Sequence, residues 1–322
     1  MATVLAPDRR RVDTTRARQP DDTGFVERDG VRVYWERYGD GAPAVLLMPT
    51  WSLFHSRHWK LQIPYLARMF RVVTFDGRGN GRSDRPRKSA AYADTEYIAD
   101  ALAVLDATET DRAVVAGLSM GAGYTLRLAA EHPDRVLGGV FIGSSVPILD
   151  RPPDEPEYQV DPSFDEPQTE DADWGKYNAD YWRHDFPGFA AWFVGDKIFT
   201  EPHSTKPIED GIGWTLETDP ETLITVEYGS YLWPPDVWER APGEGRAMPF
   251  VRRVRCPSLV IHGDDDHISR WTVGARLAQE LDAPMLTIAG GGHAPQARWP
   301  VLVNRAIRDF VRSLPEASND GR

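Results

Sequence analysis

The stretch Ala113-Val-Val-Ala-Gly117-Leu118-Ser119-Met120-Gly121-Ala-Gly-Tyr-Thr125-Leu-Arg-Leu128-Ala129-Ala130 decides how this chain is read. Its first four residues form a short, continuous apolar run, as expected of a strand buried on both faces. Thr125, Leu128 and Ala129 then continue a helical face from a start near Met120. The join between strand and helix is Gly117-x-Ser119-x-Gly121. Small residues two before and two after the serine let strand and helix approach closely through a sharp turn. Such a turn lifts the Ser119 hydroxyl to the sheet edge, at a helix N-terminus that favours developing negative charge. The backbone N–H of Met120 then faces the place where an oxyanion would form.

The same alternation extends outward in both directions. Ala44–Met48, Arg71–Phe75, Val136–Ile142, Ser258–His262 and Met285–Ile288 are further apolar runs of strand length. Val31–Tyr38 alternates and is expected as an antiparallel strand with one wet face. Tyr97, Ile98, Ala101, Leu102 and Leu105 share one helical face, and Trp271–Leu281 and Val301–Leu314 give two more helices. Strands alternating with helices imply βαβ units in a doubly wound, mostly parallel sheet, an α/β fold. Ligands of such sheets bind beyond the carboxyl ends of the strands.

These features resemble the α/β-hydrolase fold family. The resemblance covers about residues 25–146 and 251–315, and it implies an eight-stranded sheet. Asp76-Gly-Arg78-Gly79-Asn-Gly81-Arg-Ser83 is similar to the family's D-x-R-G-x-G-x-S turn, whose role there is mostly structural. The expected division is a disordered tail over 1–24, a core over 25–146 and 251–322, and an inserted, mainly helical lid over 147–250.

A serine hydroxyl needs a base, and the base needs a carboxylate on its other nitrogen. The resemblance implies the order serine, acid, histidine. The last histidine is His293, in Gly290-Gly-Gly-His293 after the last strand. The glycine run there is expected to be flexible enough to swing the imidazole over Ser119. Three carboxylates compete in His262-Gly-Asp264-Asp265-Asp266-His267. The family pattern G-x-x-D after this strand selects Asp266. An alternative acid one strand earlier is absent, because that strand ends Ile142-Gly143-Ser144-Ser145.

Relatives commonly read H-G-x in the loop that supplies a second oxyanion donor. Here Pro49-Thr50 replaces His-Gly, so the donor becomes the N–H of Trp51, since Pro49 has none. The hydroxyls of Thr50 and Ser52 are further candidate donors. Trp51 and Thr50 are also candidate substrate contacts, with Trp192 and Trp214.

Charge divides the chain unevenly. Residues 147–250 hold 23 acidic and 7 basic side chains; the rest hold 26 and 30. The same segment holds 14 of the 26 prolines and 6 of the 11 tryptophans, which marks it as an inserted unit. Asp150–Asp173, with ten acids and five prolines, reads as an extended loop. Trp174, Trp182, Trp192, Phe193, Trp214, Trp233 and Trp238 supply large aromatic surfaces, which pack the segment's own core and favour an apolar ligand.

The net charge of −12 counts against nucleic-acid binding, and no apolar run is long enough to span a bilayer. The lone Cys256 excludes an intrachain disulfide, and neither a metal nor a cofactor is expected. The arginines near the N-terminus precede no apolar stretch, so the expected location is cytoplasmic.

The functional expectation is a serine hydrolase acting on an ester or lactone of a small to medium, largely apolar, neutral small-molecule substrate. An acyltransferase, a cofactor-free perhydrolase and a catalytically idle ligand-binding module are the alternatives. Haloalkane dehalogenases and epoxide hydrolases are set aside because they carry Asp where Ser119 stands. Carbon–carbon hydrolases of the meta-cleavage type are set aside because their Gly-rich oxyanion loop is absent.

Overall fold

Eight strands form one sheet in the order β1-β2-β4-β3-β5-β6-β7-β8. The computed structural model describes residues 16–149, 162–167, 173–230 and 244–315. The strands are β1 (Asp22–Arg28), β2 (Val31–Tyr38), β3 (Ala44–Leu47), β4 (Val72–Phe75), β5 (Ala113–Leu118), β6 (Val136–Ile142), β7 (Ser258–Gly263) and β8 (Met285–Ile288). From β4 through β8 neighbouring strands run parallel, while β2 is antiparallel to both β1 and β4.

The helices, in chain order, are α1 (Ile63–Leu66), α2 (Asp94–Ala107), α3 (Met120–Glu131), α4 (Ala179–Trp192), α5 (Lys206–Thr215), α6 (Pro220–Ser230), α7 (Met248–Val251), α8 (Trp271–Glu280), α9 (Pro295–Arg298) and α10 (Pro300–Ser313). The central strands β4 and β5 are buried along their whole length. That burial accounts for their unbroken apolar runs, because helices cover both faces. One core cluster joins Leu46, Val73 and Val115 to α2 and α3, and another joins Val45, Val114 and Ile261 to α10. Among the described residues, no helix is long and apolar enough to cross a membrane.

The N-terminal region departs from expectation. Residues 1–15 lie outside the described residues. Residues 16–24, expected as part of a disordered tail, are instead built into the fold. β1 pairs with β2 from Asp22 onward through a two-residue turn, Asp29-Gly30, in which both residues have positive φ. An Asp-Gly pair takes that shape readily and suits a hairpin.

The wet face expected of β2 is also covered. Arg16 donates to the Tyr38 hydroxyl at 2.9 Å and pairs with Glu36 at 2.7 Å. Arg82 lies over the Tyr34 ring, 4.7 Å from its centroid. Glu36 is left only 1 % exposed. Burying that carboxylate is tolerable because a cation and two tyrosine hydroxyls serve it.

The segment between β6 and β7 leaves and re-enters the core at one place. Leu149 and Glu244 form an antiparallel bridge, and Ala247 N–H donates to the Pro147 carbonyl at 2.9 Å. Its described part carries α4, a π-helical turn over Phe193–Ile198, and α5 and α6. Non-helical φ and ψ at Asp185 kink α4, which also contains Pro187. Most of the acidic stretch 150–173, together with Trp233 and Trp238, lies outside the described residues. The boundary expected at 250 falls inside a structural unit. In α7, Met248, Phe250 and Val251 pack with Ala122, Leu126 and Ala130 of α3.

Candidate active site

Ser119 sits between β5 and α3 with φ 56° and ψ −119°, a backbone conformation that L-residues rarely adopt. The surroundings enforce it. A Cβ on Gly117 would meet the Gly121 carbonyl oxygen at 2.0 Å, and one on Gly121 would meet the Pro49 carbonyl oxygen at 2.4 Å. The two glycines are therefore required by close approach of strand, helix and the loop after β3. Ser119 N–H donates to the Ile142 carbonyl at 2.9 Å, fastening the turn to the end of β6.

His293 packs beside the same strand end. A Cβ on Gly143, the residue after Ile142, would lie 2.6 Å from the His293 carbonyl oxygen and 3.5 Å from its Nδ1. His293 Nδ1 is 2.8 Å from Asp266 Oδ2 and 3.1 Å from Oδ1. An ionised carboxylate only accepts, so the proton on neutral His293 resides on Nδ1 and leaves Nε2 as a base. Asp266 is itself held at two points, because Oδ1 accepts the N–H groups of Ile268 (2.8 Å) and Ser269 (2.9 Å). Burial pushes its carboxyl pKa up, but His293, and then hydrogen bonds from His262 and His293, more than offset that. The group is held well below the usual carboxylate range.

His262 approaches Asp266 Oδ2 from another side at 3.1 Å and lies 2.9 Å from the Ser269 carbonyl. Both neighbours are acceptors, so its proton is on Nε2. Its Nδ1 is buried and, among the described residues, has no hydrogen-bond partner. Asp264 and Asp265, the rejected neighbours, are exposed; Asp264 accepts the Gly290 N–H at 2.7 Å, and Asp265 lies 3.3 Å from His267.

The run Gly290-Gly-Gly does not act as a flexible arm. A Cβ on Gly291 would lie 2.9 Å from Ile288, and one on Gly292 would lie 2.8 Å from Glu201 Oε1. Gly291 and Gly292 allow tight packing, Gly290 takes a positive φ of 65°, and His293 is buried at the end of a braced loop.

The Pro49–Trp51 loop abuts the Ser119 turn, as the Thr50 hydroxyl donates to the Leu118 carbonyl at 2.9 Å. The Ser52 hydroxyl donates to the Arg78 carbonyl at 2.8 Å. Neither hydroxyl is available as the extra donor expected from the sequence, because each satisfies a buried carbonyl. Met120 N–H, first in α3, has no intrahelical acceptor. Among the described residues, neither it nor Trp51 N–H is engaged in a hydrogen bond.

The Trp51 ring enters an aromatic cluster with Tyr177 (5.8 Å), Trp182 (6.1 Å) and Phe193 (5.3 Å between centroids). Trp192 belongs to the same cluster through Phe193, at 5.9 Å. Trp214 is placed elsewhere. It lines a polar cavity of about 510 Å³ with His55, Lys60, Arg82 and Glu217, and Ser119 is not part of that lining. The reason is local: Trp214 packs edge-on against Phe54 and His55, on the side of the β4 loop.

That loop is a brace, as expected. Asp76 accepts the N–H groups of Ser56 and Arg82, and Arg78 makes a two-pronged pair with Asp100 at 2.6 and 2.8 Å. Two site residues were missed in the sequence. Ser145 Oγ lies 3.1 Å from Ser119 Oγ, and in the sequence its strand end is notable only for lacking a carboxylate. Glu201 reaches the His293 loop from the inserted segment. Its acidic surroundings in the sequence held no signal that would separate it from a solvated glutamate.

The family model described as alpha/beta hydrolase fold matches residues 43–297. The chain is similar to a 2-hydroxymuconate semialdehyde hydrolase of Pseudomonas sp. strain CF600, 26% identical over 300 residues, covering 90% of this chain and 93% of that one. It is similar to a bifunctional esterase/perhydrolase of Acinetobacter calcoaceticus, 24% identical over 301 residues, covering 90% and 100%. Among solved structures, an enol-lactonase from Burkholderia xenovorans LB400 superposes with a TM-score of 0.70 at 20% identity, covering 90% of this chain and all of that one.

Proposed function

The chain belongs to the α/β-hydrolase fold family, and from that premise we propose that it is a serine hydrolase cleaving a carboxylic ester or lactone through an acyl-enzyme on Ser119. The observation that carries this reading is the buried His293–Asp266 pair, braced beside the strand end to which the Ser119 turn is fastened. His293 Nε2 takes the Ser119 proton as Oγ attacks the carbonyl carbon. The carbonyl oxygen becomes an oxyanion, which Met120 N–H and Trp51 N–H receive. His293 then gives its proton to the departing alkoxide. Water repeats the sequence, its proton going to His293, and the acid leaves as Ser119 Oγ is reprotonated. Each oxyanion donor of this kind contributes about 2.7–4 kcal/mol.

The segment over 147–250 serves as the lid. The aromatic cluster beside Trp51 favours a largely apolar, neutral substrate, and the acidity of the segment disfavours anions. The names of relatives, an esterase/perhydrolase and a semialdehyde hydrolase, agree with hydrolytic chemistry at a carbonyl-bearing substrate. The esterase/perhydrolase likeness supports a second reading, in which the same acyl-enzyme passes to hydrogen peroxide or an alcohol.

A fluorophosphonate probe is expected to label the native protein and not Ser119→Ala. A folded native sample that takes no label would sink the reading. Turnover of an ester and lactone panel, with water, hydrogen peroxide or an alcohol as acceptor, separates the two outcomes.

A further inference from the structure

Glu201 is 8 % exposed and Arg298 4 %, and they meet where the inserted segment touches the loop that carries His293. One carboxylate oxygen of Glu201, Oε1, accepts the Gly292 N–H at 2.5 Å, on the residue directly before His293. The other, Oε2, pairs with Arg298 Nε at 3.2 Å, at the end of α9, five residues after His293. Arg298 donates a second hydrogen bond to the Ser204 carbonyl at 2.5 Å, and its guanidinium lies 4.9 Å from the Phe199 ring centroid. The chain from Phe199 to Ser204 thus wraps around a cation anchored on the far side of His293. Gly292 has no room for a side chain, since a Cβ there would lie 2.8 Å from Glu201 Oε1 and 3.0 Å from Thr200 Oγ1.

A buried ion pair of this kind is weak evidence for stability, because desolvation offsets much of its attraction. What it supplies is geometry: two oxygens, each with one donor, on the two sides of one histidine. Nothing within the core strands makes this contact, and the carboxylate comes from the inserted segment.

We propose that Glu201 is a positioning residue for His293, holding its loop through Gly292 N–H and Arg298 so that the imidazole stays aligned between Asp266 and Ser119. The inference rests on the reading of His293 as the base. It makes the inserted segment part of the catalytic geometry as well as a cover, so that movement of residues 199–204 is felt at the base.

The test is Glu201→Gln, which keeps the volume. One of its two terminal atoms becomes an NH2 group, and that group must face either Gly292 N–H or Arg298, both donors. With a short-chain p-nitrophenyl ester, kcat is expected to fall about 10–100-fold with KM within about threefold, the size of effect that small misplacement produces. The rate of Ser119 labelling by the fluorophosphonate should fall in parallel, and the downfield Nδ1–H proton signal of His293 should broaden or shift. In Glu201→Gln/Arg298→Met the competing donor is gone and the Gln oxygen can accept Gly292 N–H, so kcat should recover in part. A folded Glu201→Gln protein with kcat within about twofold of native, or an unchanged His293 signal, overturns the role of Glu201. Native protein that takes no label sinks the reading of Ser119 instead, so the two failures are distinct.

Discussion

His293 Nδ1 lies 2.8 Å from Asp266 Oδ2, and this contact is sealed from solvent while the Ser119 hydroxyl it would serve remains accessible. The pairing fixes the tautomer of His293. Asp266→Asn is therefore expected to turn an NH2 group or a weaker acceptor toward Nδ1 and to lower kcat about 10³–10⁴-fold with little change in KM. Steady-state kinetics on the same ester check it. A loss under about tenfold would show that the carboxylate does not set the tautomer.

The same carboxylate has a stability signature. Its pKa in the folded protein lies below the unfolded value, so its contribution is fully present above that ordinary value of 3.8. The contribution is lost as pH falls through the folded value. The stability gap between native protein and Asp266→Asn should shrink on acidification below about pH 4, read by urea denaturation at a series of pH values.

Asp94 predicts the opposite slope. It opens α2, is 2 % exposed, and among the described residues its Oδ2 has no hydrogen-bond partner. Burial pushes its pKa up to about 7, against the pull of Arg127. The folded state therefore holds a proton that the unfolded chain releases above 3.8, and stability falls as pH rises from about 4 to about 7. Asp94→Asn removes that slope. It should match the native protein at pH 4 and exceed it at pH 8 by on the order of 2–4 kcal/mol. Parallel urea titrations at the two pH values decide it, and a gap independent of pH would count against it.

Ser119 carries backbone strain that its proposed role as nucleophile would require and that stability does not. Ser119→Gly removes the Cβ at φ 56° and should raise stability by about 1 kcal/mol, after the entropy that glycine adds to the unfolded chain. Ser119→Ala keeps the strain and should show no such gain. Neither variant should take the fluorophosphonate label. Thermal unfolding of the three proteins makes the comparison.

Arg78 and Asp100 brace the turn after β4 from inside the protein. Asp100→Asn leaves a buried guanidinium with the Ala91 carbonyl at 3.0 Å and, as its one carboxylate among the described residues, the more distant Glu96 at 3.2 Å. The expected cost is about 3–5 kcal/mol, measured by chemical denaturation. A cost under about 1 kcal/mol would mean that water reaches the guanidinium.

Much of the architecture is legible in the sequence, because period and composition are local properties. The Ala113–Ala130 stretch specifies strand, strained turn and helix by itself, through the runs of apolar residues and the two glycines that the turn demands. The strands from β2 to β8 follow the same logic. β1 escaped because an exposed edge strand, Asp22–Arg28, has a polar pattern with little burial to mark it. Its one clear signal, the Asp29-Gly30 turn, was there to be read.

What the tertiary structure alone decided is how residues distant in sequence share a charge or a carbonyl. The sequence placed His293 after the last strand and, with the family pattern, singled out Asp266. It could not show that His262 and two backbone N–H groups hold that carboxylate. It suggested a loose glycine arm where packing against Ile288 and Glu201 makes a braced one, and free hydroxyls on Thr50 and Ser52 where buried carbonyls claim them. It assigned Trp214 to the substrate, whereas packing against Phe54 and His55 sets it on a polar cavity that Ser119 does not line. In each case the deciding quantity is the demand of a buried polar group or a tight contact for a partner. That demand is set by the fold as a whole, and no window of sequence contains it.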